Sequence, residues 1–281
     1  MSLAKTLLFR VAKRWIAGVD LESAIADAKR ANGEGMSVII NFLGEDITDG
    51  AVSDSHARQY ISLQDSISEN GIEGCASVKL TQFGLGSDDE GARLRLERVA
   101  SNAERLKQRL WVDMEGSRVT SRTLSIYCDA FAKHGHLGVA VQAYMRRSEA
   151  DTRMLLDRGA IIRLVKGAYR EPETVVFPTR REVSKKYAEL LRLLFERGDN
   201  FAVATHDSEL IDETKRLAES KHVSFEFQML KGIRNEMKED LAKSGYRVTE
   251  YLPYGASWLA YSRRRMTEHP SNVWLLLRSL V

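Results

Sequence analysis

Gly159-Ala-Ile-Ile-Arg163-Leu-Val-Lys166 is a short β-branched run that follows a glycine and carries one arginine in its middle. Between Gly159 and Lys166 it is apolar at every position but that arginine, as expected of a strand covered on both faces by helices. The same kind of run recurs along the chain. Strands are predicted at Ser37–Phe42, Ala76–Thr81, Leu110–Asp113, Gly138–Gln142, Ile161–Lys166, Phe201–Thr205, Val223–Gln228 and Tyr246–Tyr251. Amphipathic stretches such as Ala92–Leu106, Thr120–His134, Arg181–Arg197 and Asn235–Ser244 lie between them. Gly71, Gly135, Gly159, Gly198 and Gly245 stand where helices should stop in a left-handed turn. Eight strand-then-helix units in about 240 residues predict an α/β fold, a (βα)8 TIM-like barrel. An open doubly wound sheet is the competing arrangement. It calls for a G-x-G-x-x-G turn after the first strand, and none is there.

Composition narrows the function classes. The chain has 281 residues, 43% of them hydrophobic, an ordinary globular fraction. Its 42 Lys and Arg against 39 Asp and Glu leave a net charge of +3, too small an excess to argue for nucleic acid. Cys75 and Cys128 form no CxxC pair, which argues against a disulfide framework or a cysteine zinc site and makes a reducing cytoplasm the default. No apolar run approaches the roughly 20 residues of a membrane span. No linker divides the chain. The expected organisation is a pair of N-terminal accessory helices in 1–35, at about 3–16 and 20–32, followed by the catalytic barrel in 36–281. The first of these helices is basic and amphipathic, with Arg10, Lys13 and Arg14 among its apolar positions; it is expected to pack rather than to act as a secretory signal.

In such a barrel, function gathers where strands end. Here a polar or aromatic residue stands at nearly every such point: Asn41, Lys79, Asp113 and Glu115, Gln142 and Tyr144, Arg163, Lys166 and Tyr169, Thr205, His206 and Asp207, Gln228, and Tyr251. Lys79 and Arg163 interrupt runs that are otherwise apolar. A charge aimed into a barrel mouth must be paired or must bind something, and Asp113 can supply a partner. An internal Lys–Asp–Arg network is therefore expected, either structural or part of a site.

The last unit, Tyr251-Leu-Pro-Tyr-Gly-Ala-Ser-Trp-Leu-Ala-Tyr261-Ser-Arg-Arg264-Arg265-Met-Thr-Glu268, has the sharpest pattern. Tyr261, Arg264, Arg265 and Glu268 fall at i, i+3, i+4 and i+7 of a predicted helix that Pro270 should end. Trp258 lies one turn earlier on the same face. Paired arginines beside aromatics suit a helix that covers a carboxylate in an apolar pocket. Spacing alone stops there, at a carboxylate-binding lid on a barrel.

The motifs together resemble the proline dehydrogenase family. The shared features are Tyr251, the Pro253-x-Gly255 turn and Tyr261-x-x-Arg264-Arg265-x-x-Glu268. In order before them come Val-Lys79-Leu, Asp113-Met-Glu-Gly, Gln142-Ala-Tyr, Arg163-Leu-Val-Lys166-Gly-Ala168-Tyr, Ala-Thr205-His206-Asp and Glu-Phe-Gln228-Met-Leu230. The resemblance covers about residues 36–281. It implies a distorted barrel with its last helix over the mouth, bound FAD, and oxidation of L-proline to Δ1-pyrroline-5-carboxylate with electrons passed to a quinone. It implies flavin contacts from Met114, Gln142, Arg163, Lys166, Gly167, Ala168, Thr205 and His206. It implies a substrate pocket of Lys79, Asp113, Leu230, Tyr251, Tyr261, Arg264, Arg265 and Glu268, with catalytic roles for Asp113, Arg163 and Lys79. The length resembles the short monofunctional form, so a separate pyrroline-5-carboxylate dehydrogenase is the expected downstream partner. The expected location is the cytoplasm, with peripheral contact at the inner face of the membrane. Lys231-Gly-Ile-Arg stands where some members carry His-Gly, and Arg170 follows Tyr169 where an aromatic can occur.

Three other classes compete on the residues alone. A Schiff-base lyase on the same fold would use Lys79 or Lys166. A metal hydrolase needs converging ligands, and only His206 among the histidines stands at a strand end; no metal is expected. A phosphate- or nucleic-acid-binding module would use Arg263-Arg-Arg265.

Overall fold

The computed structural model describes residues 8–9, 12–259 and 261–262. Eight strands close into a barrel in chain order: β1 (Ser37–Phe42), β2 (Gly74–Val78), β3 (Leu110–Val112), β4 (Leu137–Gln142), β5 (Ile161–Val165), β6 (Asn200–Ala204), β7 (Ser224–Leu230) and β8 (Val248–Tyr254). Every pairing is parallel, including the β1–β8 seam that runs from Ser37↔Thr249 to Phe42↔Tyr254. The helices are α1 (Leu21–Gly33), α2 (Gly50–Glu69), α3 (Asp89–Arg105), α4 (Ser117–His134), α5 (Ser148–Leu156), α6 (Arg180–Arg197), α7 (Ser208–Ser220) and α8 (Asn235–Lys243). A 3-10 turn, Leu80–Phe83, follows β2.

Strand alternation divides the core in two. Val38, Ile40, Ala76, Val78, Leu110, Val112, Ile162, Leu164, Val203 and Phe227 face outward and pack with the helices in one continuous cluster. Ile39, Cys75, Trp111 and Ala202 face inward and make a separate, smaller cluster with Tyr251 against it. The inward positions nearer the strand ends are polar, and these make the site. Helix starts are fixed by side-chain caps: Asp20 for α1, Asp49 for α2, Asp88 for α3, Asp207 for α7, and a Thr179/Glu182 capping box for α6.

Several boundaries differ from expectation. β2 stops at Val78 instead of Thr81, because Thr81 is drawn out of the ladder by the Glu115 carboxylate and the chain turns into the buried 3-10 segment. β8 runs past Tyr251 to Tyr254, so Tyr251 lies in mid-strand. Pro253 is tolerated there because β7 has already ended at the Leu230↔Tyr251 pair and asks for no further N–H. Gly71, Gly135, Gly159 and Gly245 take positive φ as expected, whereas Gly198 ends α6 in an extended conformation at φ −85°.

α1 packs on β1 and β8 from outside. Its Arg30 reaches Glu250 Oε2 at 2.6 Å, and Glu250 Oε1 pairs with Lys238 of α8. The Lys238 and Glu250 side chains are 1% and 2% exposed, so this pair is buried in the outer wall of β8. Lys231 places its ammonium 2.6 Å from Asp27 of α1. Helical residues resume at Trp258, and Trp258 and Tyr261 pack on Leu43 just beyond the end of β1, over the mouth.

Candidate active site

One carboxylate organises the mouth. Asp113 sits immediately after β3, its N–H continuing the ladder to Val78 O at 2.8 Å. Its Oδ1 accepts from Arg163 Nη1 at 2.6 Å and from Ser77 Oγ at 2.7 Å. Its Oδ2 accepts from the Tyr251 hydroxyl at 2.7 Å and lies 3.5 Å from Lys79 Nζ. Strands β2, β3, β5 and β8 thus meet on a single side chain. Burial alone would raise the Asp113 carboxyl; the Lys79 and Arg163 charges and the Tyr251 and Ser77 hydrogen bonds outweigh it and hold the group below the ordinary carboxylate range. The Tyr251 phenol moves the other way, raised by burial and then by the adjacent Asp113 charge.

The two cations are incompletely satisfied. Lys79 Nζ has Asn41 Oδ1 and Asp113 Oδ2 as partners, both at 3.5 Å, the outer limit of a hydrogen bond. Arg163 lies 4.4 Å over the Trp111 ring and 5.7 Å from the Tyr251 ring, and its Nε and Nη2 are buried with no hydrogen-bond partner among the described residues. Buried guanidinium donors left open are costly, and they suit an acceptor or anion placed against this side chain.

Behind the hub, Glu115 takes the Thr81 N–H at 3.1 Å and the Thr81 hydroxyl at 2.5 Å, while Gln142 Nε2 donates to the Glu115 carbonyl at 2.9 Å. Burial pushes the Glu115 carboxyl up to about 7 despite the Thr81 hydrogen bonds. Met114 is buried beside it. At the β5 and β6 ends, Lys166 Nζ bonds Asp207 Oδ2 at 2.6 Å and Ser184 Oγ at 2.9 Å. Gly167, at φ +113°, approaches Tyr144 so closely that a Cβ would stand 2.2 Å from its ring. Ala168 is exposed. Thr205 Oγ1 accepts the Asp207 N–H at 3.1 Å. The Leu230 N–H donates to His206 Nε2 at 2.9 Å, so that nitrogen carries no proton.

The structure therefore gathers Lys79, Asp113, Arg163 and Tyr251, and sets Gln142, Lys166, Gly167, Thr205, His206 and Leu230 at successive strand ends. Arg264, Arg265 and Glu268 lie outside the described residues, as does half of the first predicted helix. Ser77 and Trp111 join the site without having been singled out by the sequence. Two-residue alternation was the available signal: each stands two positions before an inward charged residue, Lys79 and Asp113. Glu45, beyond β1, was also missed; it lies 3.5 Å from the Tyr169 hydroxyl.

A closed β/α barrel with incompletely paired cations around one carboxylate at its C-terminal mouth places the chain in the class of TIM-like barrel enzymes. The family described as Proline dehydrogenase matches residues 24–275, and the chain belongs to that family. Proline dehydrogenase 1 of Bacillus subtilis (strain 168) is 36% identical over 273 residues, 96% of this chain and 90% of that one. Proline dehydrogenase of Deinococcus radiodurans is 35% identical over 287 residues, 99% of this chain and 93% of that one. In fold, the crystal structure of proline utilization A from Bdellovibrio bacteriovorus, inactivated by N-propargylglycine, aligns with a TM-score of 0.85 at 24% identity, across 91% of this chain and 32% of that one.

Of the two lysines of the Schiff-base alternative, Lys166 is engaged by Asp207 at 2.6 Å and Ser184 at 2.9 Å. Membership of the proline dehydrogenase family is what sets the Schiff-base alternative aside.

Proposed function

We propose that this protein oxidises L-proline to Δ1-pyrroline-5-carboxylate, the opening step of proline catabolism, with FAD as its bound cofactor and a quinone as electron acceptor. The observation that carries this reading is the pair of half-satisfied cations, Lys79 and Arg163, set around Asp113 at the mouth. One cation has donors left for a substrate carboxylate. The other, Arg163, has buried donors that would be available to a bound cofactor.

The residues fit FAD on the strength of Arg163 Nε and Nη2, which lack an acceptor among the described residues. Met114, Gln142, Arg163, Lys166, Gly167, Ala168, Thr205 and His206 would hold the cofactor. When bound, FAD supplies the hydride acceptor. Lys79, with Arg264 and Arg265, clamps the proline carboxylate. Leu230, Tyr251 and Tyr261 wall its ring, and Glu268 steadies the arginines. Clustered positive charge disfavours a protonated ring nitrogen, so the substrate reaches the neutral amine whose adjacent ring carbon can give up hydride. Asp113 holds Lys79, Arg163 and Tyr251 in one geometry. Trp258 and Tyr261 cover the mouth from water. The quinone acceptor brings the enzyme to a membrane surface as a peripheral visitor from the cytoplasm; among the described residues no helix is long and apolar enough to cross one. The product passes to a separate dehydrogenase.

The test is the visible spectrum of the purified protein. Oxidised-flavin absorbance that L-proline bleaches without oxygen is expected, and a colourless protein or an unbleached flavin refutes the reading. Turnover with quinone-loaded liposomes, compared with soluble acceptors, tests the membrane encounter.

A further inference from the structure

Residues 12–18 cross the C-terminal end of β8. Ala17 N–H donates to Pro253 O at 2.8 Å, Gly255 N–H donates to Gly18 O at 3.0 Å, and Gly18 bridges Tyr254 in parallel. The approach is close: Gly232, at φ +70°, has no room for a Cβ, which would stand 1.8 Å from the Arg14 carbonyl oxygen. Ala12, Trp15 and Ile16 form an apolar cluster with Leu43, Trp258 and Tyr261. Phe9 adds an edge contact to Trp258, ring centroids 5.2 Å apart. Within this cluster Trp15 Nε1 donates to Ser262 Oγ at 3.0 Å, and the two residues are 4% and 1% exposed.

An indole N–H only donates, and when buried it is costly to orphan. Ser262 is the acceptor at hand, so the bond selects one rotation of the last helix's first turn about its axis. Tyr261 is the next residue back. It packs with Trp15, Trp258 and Leu43 just beyond the end of β1, while Tyr251 on the neighbouring β8 donates to Asp113 at 2.7 Å. Trp15 therefore fastens the turn that carries Trp258 and Tyr261 on the mouth side of β1 and β8.

We infer that Trp15 is a positioning residue for substrate binding: its Nε1–H···Oγ bond to Ser262 fixes the first turn of the last helix and thereby the place of Tyr261 over the pocket. The inference rests on the proposed proline oxidation. It assigns residues 12–18 to the lid. Displacements near 1 Å at a binding wall are enough to weaken a small substrate, and small rotations of a helix turn produce them.

Two variants separate positioning from bulk stability. Trp15→Phe keeps an aromatic ring and removes the donor; Ser262→Ala removes the acceptor. Each is expected to raise KM for L-proline about 5- to 20-fold with kcat within about twofold. Cyclopentanecarboxylate, which has the ring and carboxylate but no nitrogen to oxidise, should lose affinity in step. Flavin content should be unchanged, and amide hydrogen exchange over residues 256–262 should accelerate. The double variant should add little to either single one, because the two share one interaction. Ser262→Thr, which keeps the hydroxyl, should recover most of the binding. Wild-type KM and unchanged exchange in both single variants overturn the inference, as does a lowered Tm with KM untouched. If the wild-type protein itself fails to oxidise L-proline, the activity reading falls, and the exchange measurement alone decides: acceleration in both variants supports the fastening role and no change overturns it.

Discussion

The Tyr251 hydroxyl donates to Asp113 Oδ2 at 2.7 Å across the barrel mouth, joining mid-β8 to the end of β3. Both groups are shaped by the bond: the carboxyl is held low and the phenol high. Tyr251→Phe removes one donor and leaves the ring wall intact. A several-fold to roughly tenfold rise in KM for L-proline is expected, with a smaller change in kcat, in line with about 1 kcal/mol for a buried hydrogen bond to a charged group that keeps other partners. Steady-state kinetics checks it; an unchanged KM would remove Tyr251 from the pocket.

Glu115 makes stability depend on pH near neutrality. Its folded-state value is pushed up to about 7 from an ordinary 4.5. A raised group contributes stability that is fully present below its unfolded value and is lost as pH rises through the folded one. Thermal stability should therefore decline from about pH 5 to pH 8, by on the order of 3 kcal/mol at most. Glu115→Gln, which mimics the protonated form, should flatten that decline. Parallel melts of both proteins across this range test it, and identical slopes would count against the assignment.

The outer wall carries a second test. Lys238→Met leaves the Glu250 carboxylate buried with only Arg30 beside it. A loss of about 3 kcal/mol is expected from denaturant melts, since breaking one side of a buried pair strands a charge. Lys238→Met with Glu250→Leu together should recover most of the loss. A double variant as unstable as the single one would contradict that reasoning.

The paired arginines are tested through the substrate. Arg264→Met or Arg265→Met should raise KM for L-proline strongly, several-fold to hundreds-fold, while the protein still purifies yellow. Wild-type affinity in either variant would sink the carboxylate-clamp assignment.

The barrel was legible because its strands are covered on both faces and so read as apolar runs. β1 was placed to the residue for that reason, Ser37–Phe42. β2 was misjudged because Leu80 and Thr81 resume a strand-like run beyond Lys79, while the cause of its departure, Glu115, lies 34 residues from Thr81. The site was legible where a charge broke an apolar run, as at Lys79 and Arg163. Trp111 was hidden for the opposite reason, since an aromatic in an apolar run looks like core until its neighbour across the barrel is a guanidinium. The Lys238–Glu250 pair left no mark in the pattern of α8, and the Trp15–Ser262 bond, spanning 247 positions, had no local signal.

The β1–β8 seam bears on how the protein comes to be made. The pairing partner of Ser37–Phe42 is Val248–Tyr254, and Trp15 finds Ser262 later still. A chain emerging from the ribosome has to hold its first strand open until nearly all the others have been synthesised, with that strand's edge unsatisfied meanwhile. The barrel cannot close before β8 is made, and the Asp113 hub, which takes Tyr251 from that strand, cannot be completed earlier either.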